Sequence, residues 1–206
     1  MELIKEHFPE LDTLQVSKFK QLLPLYKDWN SKINIISRKD IDNLYQNHIL
    51  HSLSIAKFIS FKSDSKIMDM GTGGGFPGLP LAIMFPAVEF VLVDSVGKKL
   101  LVINDIASKL AINNIKTIHS RAESVNDKYD FVVSRAVTKL DEAWGWVSKN
   151  INDNNKNDIQ NGLIYLKGGD ISAEIPNNCY VQKITLTELI NEPIFIDKAL
   201  VYISKK

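Results

Sequence analysis

Lys66-Ile-Met-Asp-Met-Gly-Thr-Gly-Gly-Gly-Phe-Pro-Gly-Leu-Pro80 places a carboxylate, Asp69, two residues ahead of a glycine cluster running from Gly71 to Gly78. Glycines let a chain turn tightly and bring bare backbone close to a ligand at a helix N-terminus, here predicted near Pro77 or Leu79. The spacing Gly73-x-Gly75-x-x-Gly78, with Asp94 further on, also fits a dinucleotide fingerprint. Asp69 separates the two readings. A carboxylate at the mouth of the loop repels a pyrophosphate, whereas it favours the ammonium and sulfonium groups of S-adenosylmethionine, directly or through water. Charge therefore points to the methyl donor.

Downstream, Glu89-Phe-Val-Leu-Val-Asp94 reads as a short apolar strand of a buried parallel sheet, with Asp94 at its C-terminal end facing the ligand crevice. One carboxylate suits the two hydroxyls of an adenosine ribose; the competing reading of Asp94 is a helix cap. Ser95 and Gly97-Lys98-Lys99 follow, then Leu100, Leu101, Ile103, Ile106, Ala107 and Leu110 at the spacing of a crossover helix. Strand, acid and glycine loop thus fall in one βαβ unit.

With 206 residues, 45% hydrophobic, the chain suits one compact domain with a modest extension. Net charge is +1, so any nucleic-acid surface must be a local patch. The single cysteine, Cys179, allows no internal disulfide, and the start Met1-Glu2 has no apolar run behind it. The most apolar stretch, residues 79–93, is interrupted by Pro80, Pro86 and Glu89 and is too short for a membrane span. A cytoplasmic enzyme without membrane association is expected, working as a monomer.

Two regions are predicted: a helical N-terminal extension over residues 1–60 and a cofactor-binding domain over 61–206. In the first, Val16, Phe19, Leu22 or Leu23 and Tyr26 recur at helical spacing, Asp12 and Gln15 are placed like a capping box, and Pro24 is a kink candidate. A second helix is expected from near Ser37 or Asp40, carrying Ile41, Leu44, Tyr45, His48, Ser52 and Ala56. Strands are expected near 66–70, 89–94, 115–118, 129–134, 162–167, 179–186 and 199–204, with helices between the first five and a hairpin-like end. The fold class is α/β, a Rossmann-like, mostly parallel seven-stranded sheet. Residues 150–161, rich in Asn and Asp, read as a solvated loop.

Several blocks together resemble one family. Asp69-Met-Gly-Thr-Gly-Gly-Gly-Phe-Pro-Gly-Leu-Pro-Leu81, Asp94-Ser95-x-x-Lys98-Lys99, Ser120-Arg121-x-Glu123, Ser134-Arg135-Ala136, Leu166-Lys167-Gly168, and upstream Trp29-Asn30 and His48-Ile-Leu, are similar to RsmG, also called glucose-inhibited division protein B. The resemblance spans nearly the whole chain and implies a class I methyltransferase that methylates guanine N7 in 16S ribosomal RNA of the small subunit. It also implies a cofactor site including Gly71, Phe76, Ala122, Glu123 and Arg135, with Ala122 and Glu123 beside the adenine. Asp69, Gly73, Gly75, Asp94 and Ser95 join that set from the loop and strand reading. One position departs: where many relatives carry an acid in the His-x-Leu-Asp-Ser segment, this chain has His51. Any role that acid plays through charge is altered or absent.

The chemistry can also be read from the residues. Methylation of a pyrimidine carbon uses a cysteine nucleophile, and Cys179 lies far down the chain. Amino methyltransferases carry an Asp/Asn-Pro-Pro-aromatic run after the fourth strand, where this chain has Ser134-Arg135-Ala136. Guanine N7 has an in-plane lone pair and no proton to lose, so alignment with the sulfonium suffices and no base is needed. Arg135 is the first candidate for catalysis: its guanidinium could clamp a phosphate, stack on a base or hold the cofactor carboxylate, or simply pair with Glu123 or Asp130. Lys98, Arg121 and Lys167 are substrate-side candidates on the same rim, with Lys99 and Lys139 nearby. His48 and His51 stand three apart without an evident third ligand, so no metal is expected. Two other functions keep the loop: a nicotinamide-dependent oxidoreductase, or an S-adenosylmethionine protein that is non-catalytic or methylates a small molecule.

Overall fold

The central strands are buried on both faces, and their side chains alternate between two apolar layers with a period of two. The strands are β1 (Lys66–Met70), β2 (Glu89–Asp94), β3 (Ile115–His119), β4 (Phe131–Arg135), β5 (Gly162–Gly168), β6 (Cys179–Thr185) and β7 (Lys198–Lys205). Phe90, Leu92, Phe131, Val133, Ile164 and Leu166 enter one core, while Val91, Val93, Val132, Leu163 and Tyr165 enter the other. This is a computed structural model, and it describes residues 1–37 and 39–206.

The sheet order is β3-β2-β1-β4-β5-β7-β6. β3, β2, β1, β4 and β5 run parallel, and β7 is antiparallel to both β5 and β6. The helices are α1 (Glu2–His7), α2 (Thr13–Lys32), α3 (His51–Phe58), α4 (Gly78–Met84), α5 (Gly97–Lys109), α6 (Leu140–Val147) and α7 (Leu186–Leu189). α6 contributes Leu140, Ala143 and Val147 to the second core, and the other helices cover the first. The helices before β1 share that first core: Ile4, Phe19, Leu22, Leu44 and Leu53 pack in one cluster with Phe90 and Phe131.

Asp12 and Gln15 form the capping box of α2, and Pro24 lies inside the helix. The second predicted helix is broken into parts: a 3₁₀ turn at Ile41–Asn43, π-helical turns over Tyr45–Leu50, and then α3. Two expectations are corrected. No α-helix joins β3 to β4; that link holds only a 3₁₀ turn at Ala122–Ser124. Residues 150–161 are not simply solvated, because asparagine side chains fold the loop onto the sheet. Asn157 Oδ1 accepts from the Lys62 amide at 2.9 Å, and Asn161 Nδ2 donates to the Asn152 and Asn154 carbonyls. Asn150, Asn157 and Asn161 are all buried.

Candidate functional site

The glycine loop is held from below by two carboxylates. Asp69 follows Ile67 by two residues on β1, so it shares that residue's face and points toward α4. There its Oδ2 accepts from the Gly78 amide at 2.7 Å and the Thr72 hydroxyl at 2.5 Å. Asp69 is fully buried and its Oδ1 has no partner among the described residues. Burial pushes its carboxyl up to about 7, against the opposing effect of those hydrogen bonds and of the Arg135 charge. Asp94, at the end of β2, takes the Gly73 amide at 2.8 Å on Oδ2 and the Val96 amide at 2.8 Å on Oδ1. Lys99 Nζ stands 3.8 Å from Asp94 Oδ2.

Gly71 leaves β1 at φ +66°, where a side chain is strained, and a Cβ there would lie 2.6 Å from Val137 Cγ2. That close approach brings the loop after β1 against the loop after β4. The latter is clamped by Tyr165, whose hydroxyl accepts from the Val137 and Thr138 amides at 2.8 and 2.9 Å. Tyr26 of α2 supports the glycine loop from the other side. Its hydroxyl donates to the Gly74 carbonyl at 2.6 Å, and its ring stacks on Phe76 with centroids 5.2 Å apart.

A cavity of about 390 Å³ opens over the C-terminal ends of β1, β2 and β4. Gly71, Asp94, Ser95, Arg121, Ala122, Glu123 and Arg135 all line it, so seven of the sequence-selected residues from four separate blocks converge on one wall. Asp69, Gly73, Gly75 and Phe76 are not part of that wall; they shape the loop behind it. Lys98 lies off the wall as well, whereas Lys99 lines it. Lys167 is engaged elsewhere, in an ion pair with Glu174. Val96, Val137 and Trp146 supply apolar surface that the sequence reading did not select. Trp146 lies on α6, and no local motif marks a tryptophan that only the crossover delivers to the rim.

Arg135 shares the face of Phe131 and Val133 on β4. Its Nη1 donates to the Asn47 carbonyl at 3.3 Å, its Nη2 lies 2.9 Å from His48 Nδ1, and its guanidinium carbon stands 5.2 Å from the Phe76 ring centre. The salt bridges considered from sequence are not made: Glu123 stands 3.8 Å from Arg121, and Asp130 pairs with Lys156 at 3.1 Å. His51 is buried against Phe195, with ring centroids 5.6 Å apart, and burial holds its imidazole well below the ordinary pKa. It is neutral at the position where the resemblance implies an acid. Among the described residues, no group of three or more His, Cys, Asp or Glu gathers as a metal site, and no helix is long and apolar enough to cross a membrane.

The molecule's likeness to known proteins follows the same lines. A crystal structure of a mutant of MtNAS in complex with S-adenosylmethionine superposes over 98% of this chain and 76% of that one, with TM-score 0.60 at 11% identity. An rRNA methylase from Streptococcus thermophilus superposes over 76% and 94% of the two chains, with TM-score 0.53 at 14% identity. Both share the Rossmann-like α/β fold of this chain. The ribosomal RNA small subunit methyltransferase G of Phocaeicola vulgatus is 50% identical over 205 residues, covering 99% of this chain and 98% of that protein. Its namesake from Cytophaga hutchinsonii is 48% identical over 204 residues, covering 98% and 99%. The family model GidB, rRNA small subunit methyltransferase G, matches residues 15–185. By family match and by identity over nearly the full length, the chain belongs to the rRNA small subunit methyltransferase G family.

Proposed function

We propose that this protein transfers the methyl group of S-adenosylmethionine to guanine N7 in 16S ribosomal RNA of the small subunit. The observation that carries the reading is the convergence of Gly71, Asp94, Ala122, Glu123 and Arg135 on one crevice at the sheet's C-terminal rim. The residues fit the cofactor. Asp94 keeps carboxylate lone pairs beyond those taken by Gly73 and Val96, in reach of a ribose. Gly71 presents bare backbone on the crevice wall, and Ala122 and Glu123 offer a backbone amide and a carboxylate to an adenine edge. When bound, S-adenosylmethionine supplies an electrophilic methyl group on a cationic sulfur.

The protein's own residues then position instead of reacting. Asp94 and Gly71 orient the cofactor, the apolar surface of Val96, Val137 and Trp146 keeps water from the crevice, and Arg135 fixes the acceptor or the cofactor carboxylate. The N7 lone pair is itself the nucleophile and N7 carries no proton to lose, so no side chain need act as a base. Arg121 and Lys99, on the crevice wall, supply positive charge toward RNA phosphate. The dinucleotide alternative loses its support in the loop itself, because the Gly73 and Gly78 amides that a pyrophosphate would use already donate to Asp94 and Asp69.

Methylation at N7 leaves a fixed positive charge on the purine, so borohydride followed by aniline cuts the RNA there. Small-subunit particles incubated with enzyme and cofactor should yield 16S RNA with one new cleavage. Methyl incorporation without that cut would move the transfer to another atom while leaving the cofactor assignment intact.

A further inference from the structure

Among the described residues, the groups that hold the Arg135 guanidinium come from the N-terminal helices and the glycine loop. The Asn47 carbonyl and His48 Nδ1 both lie in the π-helical turns of Tyr45–Leu50, a wider backbone that recurs at functional sites. The Phe76 ring lies under the guanidinium, 5.2 Å away, and is itself 5.0 Å from the His48 ring. A guanidinium can only donate, so His48 Nδ1 must accept, and the imidazole is fixed as the neutral Nε2–H tautomer. The neighbourhood favours that state: burial, then the Arg135 charge, lowers the His48 pKa to about 4. His48 Nε2 is buried and has no partner among the described residues, so nothing at that end of the ring selects the tautomer. The contact with Arg135 does.

We infer that His48 is a positioning residue, whose Nδ1, together with the Asn47 carbonyl, sets the orientation in which Arg135 faces the methyl-transfer crevice. The inference rests on the reading that Arg135 acts there. It gives the N-terminal helices a part in the chemistry through two hydrogen bonds from Arg135, to the Asn47 carbonyl and to His48 Nδ1, the latter between elements 87 residues apart in sequence.

A double-mutant cycle tests it, with His48→Ala, His48→Asn, Arg135→Ala and the His48→Ala/Arg135→Ala pair compared by steady-state methylation of small-subunit particles and by thermal melting. Losing one hydrogen bond to a charged group should lower kcat/KM about tenfold or more in His48→Ala. His48→Asn, whose Oδ1 falls close to the lost Nδ1, should recover most of it. In the Arg135→Ala background, His48→Ala should change kcat/KM by less than about twofold, because the coupling partner is gone. Independent, multiplying losses in the pair, or an Asn variant no better than Ala, would overturn the inference. Full turnover in Arg135→Ala would instead remove the role given to Arg135 itself, a separately readable result. If His48→Ala does not melt cooperatively, nitrogen-15 shifts of the unaltered protein decide: Nε2 protonated and Nδ1 bare from about pH 5 to 8 support the assignment, and the opposite tautomer overturns it.

Discussion

Among single residues, Asp69 carries the most consequence. The sequence suggests a charge at the mouth of the loop, and the structure puts the carboxyl beneath it, fully buried, taking the Gly78 amide and the Thr72 hydroxyl. That carboxyl is raised from 3.8 to about 7 by burial, with Arg135 opposing and Asp94 reinforcing the shift. A carboxyl raised in the folded state favours folding most below the unfolded value and loses that contribution as pH climbs through the folded one. Stability should therefore fall between about pH 4 and 7, by on the order of 4 kcal/mol from this group at about 1.36 kcal/mol per unit. Asp69→Asn keeps an acceptor for Gly78 and cannot ionise. Urea unfolding across that range should show a flatter pH dependence in the variant; equal slopes would refute the assignment.

Between elements, the approach of the loop after β1 to the loop after β4 builds the crevice. Gly71→Ala should cost on the order of 2 kcal/mol or more, from a side chain at positive φ and a Cβ 2.6 Å from Val137 Cγ2. Val137→Ala made alongside removes the clash but not the backbone strain. Melting temperatures should thus recover partly in the double variant, and no recovery would mean that strain alone accounts for the loss. The strands at 66–70 and 89–94 are legible because their apolar runs end in turn signals and a carboxylate. The short α1, with only Ile4 buried, shows too little periodicity to read. The link from β3 to β4 and the 150–161 loop escape a local reading for a related reason: both are held by hydrogen bonds between residues distant in sequence, Lys149 to the Glu123 carbonyl at 2.7 Å and the Lys62 amide to Asn157 Oδ1 at 2.9 Å.

Across the molecule as a whole, the first sixty residues and the sheet share one apolar layer, with Phe19, Leu22 and Leu53 in the same cluster as Phe90 and Phe131. A chain beginning at residue 61 would expose one face of the sheet over several strands, and each large side chain stripped of its neighbours forfeits about 1.5–3 kcal/mol. Against a typical total of about 5–15 kcal/mol, that loss is decisive. The truncated chain should show no cooperative melt by circular dichroism; a transition near that of the full chain would mean that the helices are dispensable.

Local pattern along the chain suffices for the glycine loop, the strand-ending acid and the four blocks that meet at the crevice: glycines where the backbone turns, apolar runs where strands are buried, charge at their ends. Which of those residues form the wall and which stand behind it is a matter of tertiary structure. Packing places Lys99 and Trp146 on the wall, leaves Lys98 off it and ties Lys167 to Glu174. It also joins His48 to Arg135 across 87 residues. The reason is physical: a side chain's direction depends on strand pleat, helix phase and the packing of distant elements, and none of these is written in the spacing of neighbours along the chain.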